Sequence, residues 1–467
     1  MNTRRIFLRQ AGLGLIAAPV TKLVANLTVE KTGEIPGFHT QAAVSNKLVL
    51  NVRDFGATGN GQTMDTVAIQ QTIDRCSVLG GGEVLVPAGN YLTGSIALRS
   101  NINLHLEQDA VITGSSDLKD YPVTQVRWEG KWIQGYSGLI YAIGARNIGI
   151  KGPGKIVGSN AVGGRPGNDN PLRRPALIEP IDCTDIVFDG FSTQYHVMWS
   201  IHLTYCERVS IKNLTIRSTG PNGDGIDVDS CKNVLIDSCD ISTGDDCISL
   251  KSGRGMEGYT LLRTTEDVHI TNCTFADAIF ACIGIGSETS GGIKNVLIDR
   301  CKFTEAKSFA IYIKSNIGRG AFIEDITANN LEVSGAKQGF IRFNIMGSGL
   351  QDQIPVTGDE GIPTTRNFKF TNIKVSDVPV LIDGTGIHPH KPLDGLILDN
   401  ITGTCEKGIS LANIKNADIK QINVTGYTGP LLRIYNVTGK GLNGAAILPT
   451  PKLIEPLPAG NELYNLH

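Results

Sequence analysis

A short phrase recurs along this chain: two polar residues, the second often Asn or Asp, then an alternating apolar strand. It stands at Glu207-Arg208-Val209-Ser210-Ile211, Lys232-Asn233-Val234-Leu235-Ile236, Glu266-Asp267-Val268-His269-Ile270, Lys294-Asn295-Val296-Leu297-Ile298 and Glu324-Asp325-Ile326. The apolar starts at 209, 234, 268, 296 and 326 are 25, 34, 28 and 30 residues apart, and weaker copies begin at Ile148, Ile186, Phe368 and Leu396. A drifting period of this size, with β-branched strands between Asn, Gly and Asp turns, predicts a solenoid. The strands are too short, and their connections too polar, for a βαβ repeat. Only 6% of residues are aromatic while 55 are Gly, which suits a repetitive all-β body.

In a stack of coils, residues of equal phase are vertical neighbours about 4.8 Å apart. Cys183, Cys206 and Cys231 each lie three residues before a start, and Cys239, Cys273 and Cys301 each lie five after one. Two internal columns of packed thiols are expected. Each coil carries a second strand in the versions Ile226-Asp227-Val228, Ile248-Ser249-Leu250, Ile283-Gly284-Ile285 and Ile311-Tyr312-Ile313. By the two-residue period their middle members, Asp227, Ser249, Gly284 and Tyr312, face out of the coil. Two residues before each triplet stand Asp224, Asp246, Ala281 and Phe309.

Asp224 and Asp246 therefore share a phase on neighbouring coils, with Asp245 beside them. Three carboxylates in one patch repel one another and raise one another's pKa, a cost that structure alone does not repay. A glycosidase needs such a set: one carboxyl protonated as acid, others ionised to activate water. Gly225 and Gly244 are expected to give the sharp turns that let a sugar approach. A single Gly-Asp-Gly or Thr-Gly-Asp-Asp would read as an ordinary turn; two in matching phase favour catalysis.

Asn222-Gly223-Asp224-Gly225-Ile226-Asp227 followed by Gly244-Asp245-Asp246-Cys247 resembles the central motifs of the family 28 glycoside hydrolases, the polygalacturonases. Asp54-Phe55-Gly56-Ala57-Thr58-Gly59, Gly80-Gly81-Gly82, Val86-Pro87-Ala88-Gly89, Trp128-Glu129-Gly130, Arg174-Pro175, Trp199-Ser200-Ile201-His202 and Ile285-Gly286-Ser287-Glu288 follow in the family's order. The resemblance implies an all-β, right-handed, single-stranded parallel β-helix of the pectin-lyase-like type. It also implies inverting hydrolysis of galacturonosyl linkages in pectic polysaccharide or oligosaccharide. By match to the motif, Asp245 is the general acid, and Asp224 and Asp246 hold and deprotonate the water. Inversion leads us to expect roughly 6.5–9.5 Å between acid and base carboxyls. Asn222, Asp227, His202, Glu288, Tyr312 and Lys314 are the expected substrate-binding residues.

This chain departs from the family at two places. Phe280-Ala281-Cys282 stands where the family has Gly-His-Gly, and Tyr312-Ile313-Lys314 where it has Arg-Ile-Lys. In the family those cations bind the uronate on the leaving side. Loss of one keeps a rhamnogalacturonan-type hydrolase open as an alternative. A pectate-lyase-like enzyme and a non-catalytic carbohydrate-binding β-helix are further alternatives; retention of all three aspartates argues against the last.

Residues 1–25 read as an export signal: Thr3-Arg4-Arg5-Ile6-Phe7-Leu8-Arg9, an apolar run from Ala11 to Val20, and Ala25 as a small residue for cleavage. The paired arginines resemble a twin-arginine leader, so a periplasmic or extracellular location in a bacterium is expected. Residues 26–125 are assigned to a lead-in and cap, with a short helix between Asp65 and Leu79; 126–440 to the catalytic β-helix; and 441–467 to an irregular surface tail. A formal net charge of −2 provides no basic field for nucleic acid. Nothing after residue 26 is apolar for long enough to span a membrane. No cofactor or metal is required: Asp224, Asp227 and Asp229 lack a calcium loop's closing glutamate, and His388-Pro389-His390 reads as a surface turn. We expect a monomer.

Overall fold

In the computed structural model, residues 48–163 and 172–457 are described. The stretch read as an export signal and the last ten residues of the tail lie outside them. The recurring phrase forms one ladder of parallel strands. Ile148 pairs with Ile186, Ile186 with Val209, and the series continues through Val234, Val268, Val296, Ile326, Phe368 and Leu396. Every start taken from the sequence sits in this register. The fold is a right-handed parallel β-helix.

Local chemistry fixes the corners. The polar residue before each start adopts left-handed backbone, with φ of 54° at Asn233, 57° at Asp267, 53° at Asn295 and 57° at Asp325. Asn and Asp tolerate that region better than other non-glycine residues. Their side chains tie coil to coil, as Asn367 does by donating to Asp325 at 2.8 Å. Inside, Ile201, Ile226, Ile248, Ile283, Ile311 and Ile341 pair in one column and are fully buried. Each contributes roughly 1.5–3 kcal/mol relative to exposure.

The solenoid begins earlier than residue 126. Val49–Asn51 pairs in parallel with Gly82–Val86, that strand with Ile102–Leu106, and that with Arg146–Lys151. The lead-in thus forms the first coils, and the helix Thr66–Val78 packs Ile69, Ile73 and Cys76 over their open end. An antiparallel hairpin, Val123–Trp128 with Lys131–Tyr136, interrupts the ladder. All ten cysteines are buried free thiols, with the two predicted columns in place. A third matched pair, Cys247 and Cys282, precedes the paired Ile248 and Ile283.

The tail is laid back along the body. The Leu457 carbonyl accepts from Gly358 N at 2.8 Å, and Leu457 packs on Ile317, Met346 and Ile362. This corrects the reading of His388 as a surface turn. His388 is buried, its Nε2 lies 3.1 Å from the Ile454 carbonyl, and half-exposed His390 meets Asp359 instead.

Candidate active site

The second strand of each coil supplies the floor of the site. Asp227, Ser249, Gly284, Tyr312, Arg342 and Asp383 lie in register on successive coils and face outward. His202 pairs beside Asp227, and two residues further on Asp229 pairs with Lys251. Asp224 and Asp246 sit just before this strand at equivalent places: the Asp224 carbonyl accepts from Ser200 N, and the Asp246 carbonyl from Gly225 N.

The structure brings Asp224, Asp245 and Asp246 together, with one carboxylate oxygen of each within 4.8 Å of the others. This is tighter than the separation expected for an inverting enzyme. The coil spacing imposes it, because two of the carboxyls ride on adjacent coils. Ser249 Oγ donates to Asp246 at 2.9 Å and reaches Asp224 at 3.2 Å. Asp246 also accepts from Lys314 Nζ at 2.7 Å and Ala281 N at 3.0 Å. Lys251 contacts Asp227 directly and stands 3.7 Å from Asp224.

Asp224, Asp227, Asp245, Asp246 and Glu288 thus surround two ammonium groups, and negative charge is in excess. Burial, reinforced by Asp224 and Asp246, pushes the Asp245 carboxyl up to about 8. Burial, then Asp227, also raises Asp224, although Lys251 opposes the rise. Asp227 is pushed up to about 7, mainly by burial and against the pull of Lys251. Burial alone would lower Lys251, but Asp227 and Asp224 outweigh it and raise it. The Asp245 carboxylate accepts from the neighbouring Asp246 N at 3.1 Å, whereas Asp224 faces an ammonium group and a hydroxyl.

Other predicted residues occupy distinct places. Asn222 Oδ1 accepts from Arg174 Nη2 at 2.9 Å, with the Arg174 guanidinium over Trp128. Glu288 is buried close to Lys251 and Lys314. Tyr312 stacks on Phe280, and its hydroxyl accepts from Asn344 Nδ2 at 3.2 Å. His202 lies in a separate buried network. Its Nδ1 is 3.3 Å from Glu179, which Arg173 grips with both terminal nitrogens. Trp199 covers His202 and carries Lys251 Nζ 4.4 Å above its ring.

Gly225 and Gly244 both stand at bends in the backbone, as expected. Neither has left-handed backbone. A Cβ at Gly225 would lie 2.4 Å from the Cys247 carbonyl, and one at Gly244 2.2 Å from the Gly220 carbonyl, so both are needed for close packing. Gly284 opens the site itself: a Cβ there would lie 2.4 Å from Asp246 Oδ2. Sequence reasoning assigned no role to Ser249, Lys251 or Gly284, although coil phase already aligned them with the aspartates. The three aspartates are close enough to share a metal ion, but Lys251 and Lys314 already present positive charge to them.

The model of the glycosyl hydrolases family 28 matches residues 76–440. The chain belongs to that family. It is 31% identical over 362 residues to a probable polygalacturonase of Vitis vinifera, covering 75% of this chain and 73% of that protein. An exo-poly-alpha-D-galacturonosidase of Dickeya chrysanthemi is 26% identical over 412 residues, covering 71% of this chain and 68% of the other. The hyperthermoactive exopolygalacturonase of Thermotoga maritima superposes with a TM-score of 0.70 at 26% identity, over 81% of this chain and 92% of that one. The Yersinia enterocolitica family 28 exopolygalacturonase shares the fold, with a TM-score of 0.74 at 20% identity, over 88% of this chain and 80% of that one. This family 28 chain is a glycosyl hydrolase, so the lyase and non-catalytic alternatives fall away.

Proposed function

We propose that this family 28 enzyme hydrolyses galacturonosyl linkages of pectic polysaccharides or oligosaccharides with inversion, using Asp245 as acid and Asp224 with Asp246 as the water-activating pair. The observation that carries this reading is the shared Ser249 hydroxyl between Asp224 and Asp246, with a carboxyl pushed up to about 8 beside them. Asp245 donates its proton to the leaving oxygen. A water held against Asp224 and Asp246 loses a proton to them as it attacks the anomeric carbon. Inversion is what the family resemblance implies. Family membership and similarity to proteins named polygalacturonase support galacturonan over rhamnogalacturonan. NMR of freshly released product tests the reading: the inverted anomer is expected, and a retained one refutes the mechanism.

The hairpin Val123–Trp128/Lys131–Tyr136 favours attack at chain ends. It reaches across the floor, where Arg127 pairs with Asp229 at 3.2 Å and with Glu257 at 2.9 Å, and Lys131 meets Asp352 at 3.2 Å. Glu179, His202 and Asp229, outward-facing positions of the floor, are only 1% exposed. The cleft is therefore walled on the N-terminal side of Asp224. Reducing ends should appear on polygalacturonate well before viscosity falls; an early viscosity collapse would show internal cutting. The basic-then-apolar leader at residues 1–25 supports action outside the cytoplasm.

A further inference from the structure

By the family resemblance, two positions should offer cations to a sugar carboxylate on the leaving side; here one is largely buried against Asp246 and the other is not a cation. Lys314 is 12% exposed and its ammonium is bound to Asp246 at 2.7 Å. Tyr312 carries no charge, and its ring is packed between Phe280 and Phe309. A third cation stands one coil further on. Arg342 pairs with Tyr312 in the outward column. Its guanidinium carbon lies 5.7 Å from the Tyr312 ring centre and 5.6 Å from that of Phe309, so the head leans back over the aromatic pair.

The Arg342 side chain is 38% exposed; its Nε is itself buried beside Asp383 and makes no hydrogen bond among the described residues. Among the described residues its acidic partner is Asp383, at 3.5 Å. Asp383 is held there, because its Oδ1 accepts from Thr385 Oγ1 at 2.6 Å and Thr385 N at 3.2 Å. A guanidinium stacked on aromatic faces keeps its in-plane N–H groups available. Those groups form the fork that grips a carboxylate with two parallel bonds.

We propose that Arg342 binds the carboxylate of a uronate on the leaving side, taking over from the cation absent at Tyr312. The leaving-side sugar is then an acidic one, which deepens and rests on the galacturonan reading above. Lys314 is left to serve Asp246.

The test uses Arg342→Gln with short galacturonides as substrate and the same compounds methyl-esterified as competing ligands. KM for the free acids should rise about tenfold to a hundredfold, the range for a lost hydrogen bond to a charged group, with kcat within about twofold. The inhibition constant of the esters should stay unchanged. Arg342→Lys keeps the charge without the fork and should recover part of the loss; it carries the same comparison if the glutamine variant folds poorly. An unchanged KM, or equal losses for acid and ester, would overturn the role of Arg342. If wild-type enzyme cleaves no galacturonide, the substrate reading fails and this proposal with it. An active wild type with an unaffected Arg342→Gln refutes Arg342 alone.

Discussion

Replacing Asp245 by Asn should cost activity and gain stability at once. The side chain keeps its shape but loses the proton it would donate. Its carboxyl rises from an ordinary value of 3.8 to about 8, through burial first and then Asp224 and Asp246. A native-state carboxyl raised in this way holds its proton more tightly than the unfolded chain does. Its contribution to stability is fully present below the unfolded value and is lost as pH climbs through about 8. At about 1.4 kcal/mol per pH unit, the loss by pH 7 is up to ~4 kcal/mol, and less where the cluster shares its protons. Asp245→Asn removes this term, so the variant should unfold at higher temperature than wild type at pH 8, with the difference shrinking toward pH 4. Turnover should fall roughly a hundredfold to ten-thousandfold, the usual scale of general acid catalysis. The loss should be much smaller on a substrate with a good leaving group, and wild-type activity should decline as pH rises past about 8. Equal losses on both substrates would remove Asp245 from the acid role. A variant no more stable than wild type at pH 8 would refute the electrostatic reasoning.

Asp224→Asn and Asp246→Asn should lose activity without rescue by a good leaving group, because the water must still be activated; kinetics on the same two substrates checks this. Gly284→Ala places a Cβ 2.4 Å from Asp246 Oδ2 and 3.3 Å from Lys314 Cε. Turnover should drop by at least about tenfold while circular dichroism stays native, since a 1 Å misplacement of a reacting group costs up to about a hundredfold. The cysteine columns should stay reduced, and mass spectrometry of the unreduced protein finding three or more bridges would contradict the packing seen here.

In a solenoid, sequence phase becomes spatial neighbourhood, and much of this protein was legible for that reason. The starts from Ile148 to Leu396, the thiol columns and the pairing of Asp224 with Asp246 all follow from counting along the chain. The same count held the signal for Ser249, Lys251 and the third thiol pair, Cys247 with Cys282. Phase has no power over segments that leave the repeat. The hairpin 123–136 reaches Asp229 and Asp352 through contacts between residues more than a hundred positions apart, and only the folded chain shows them. The lean of Arg342 over Tyr312 depends on side-chain torsions that no spacing encodes. The upward shift of the Asp245 carboxyl is likewise tertiary: phase brought the carboxyls together, but burial, the larger cause, comes from everything packed around them.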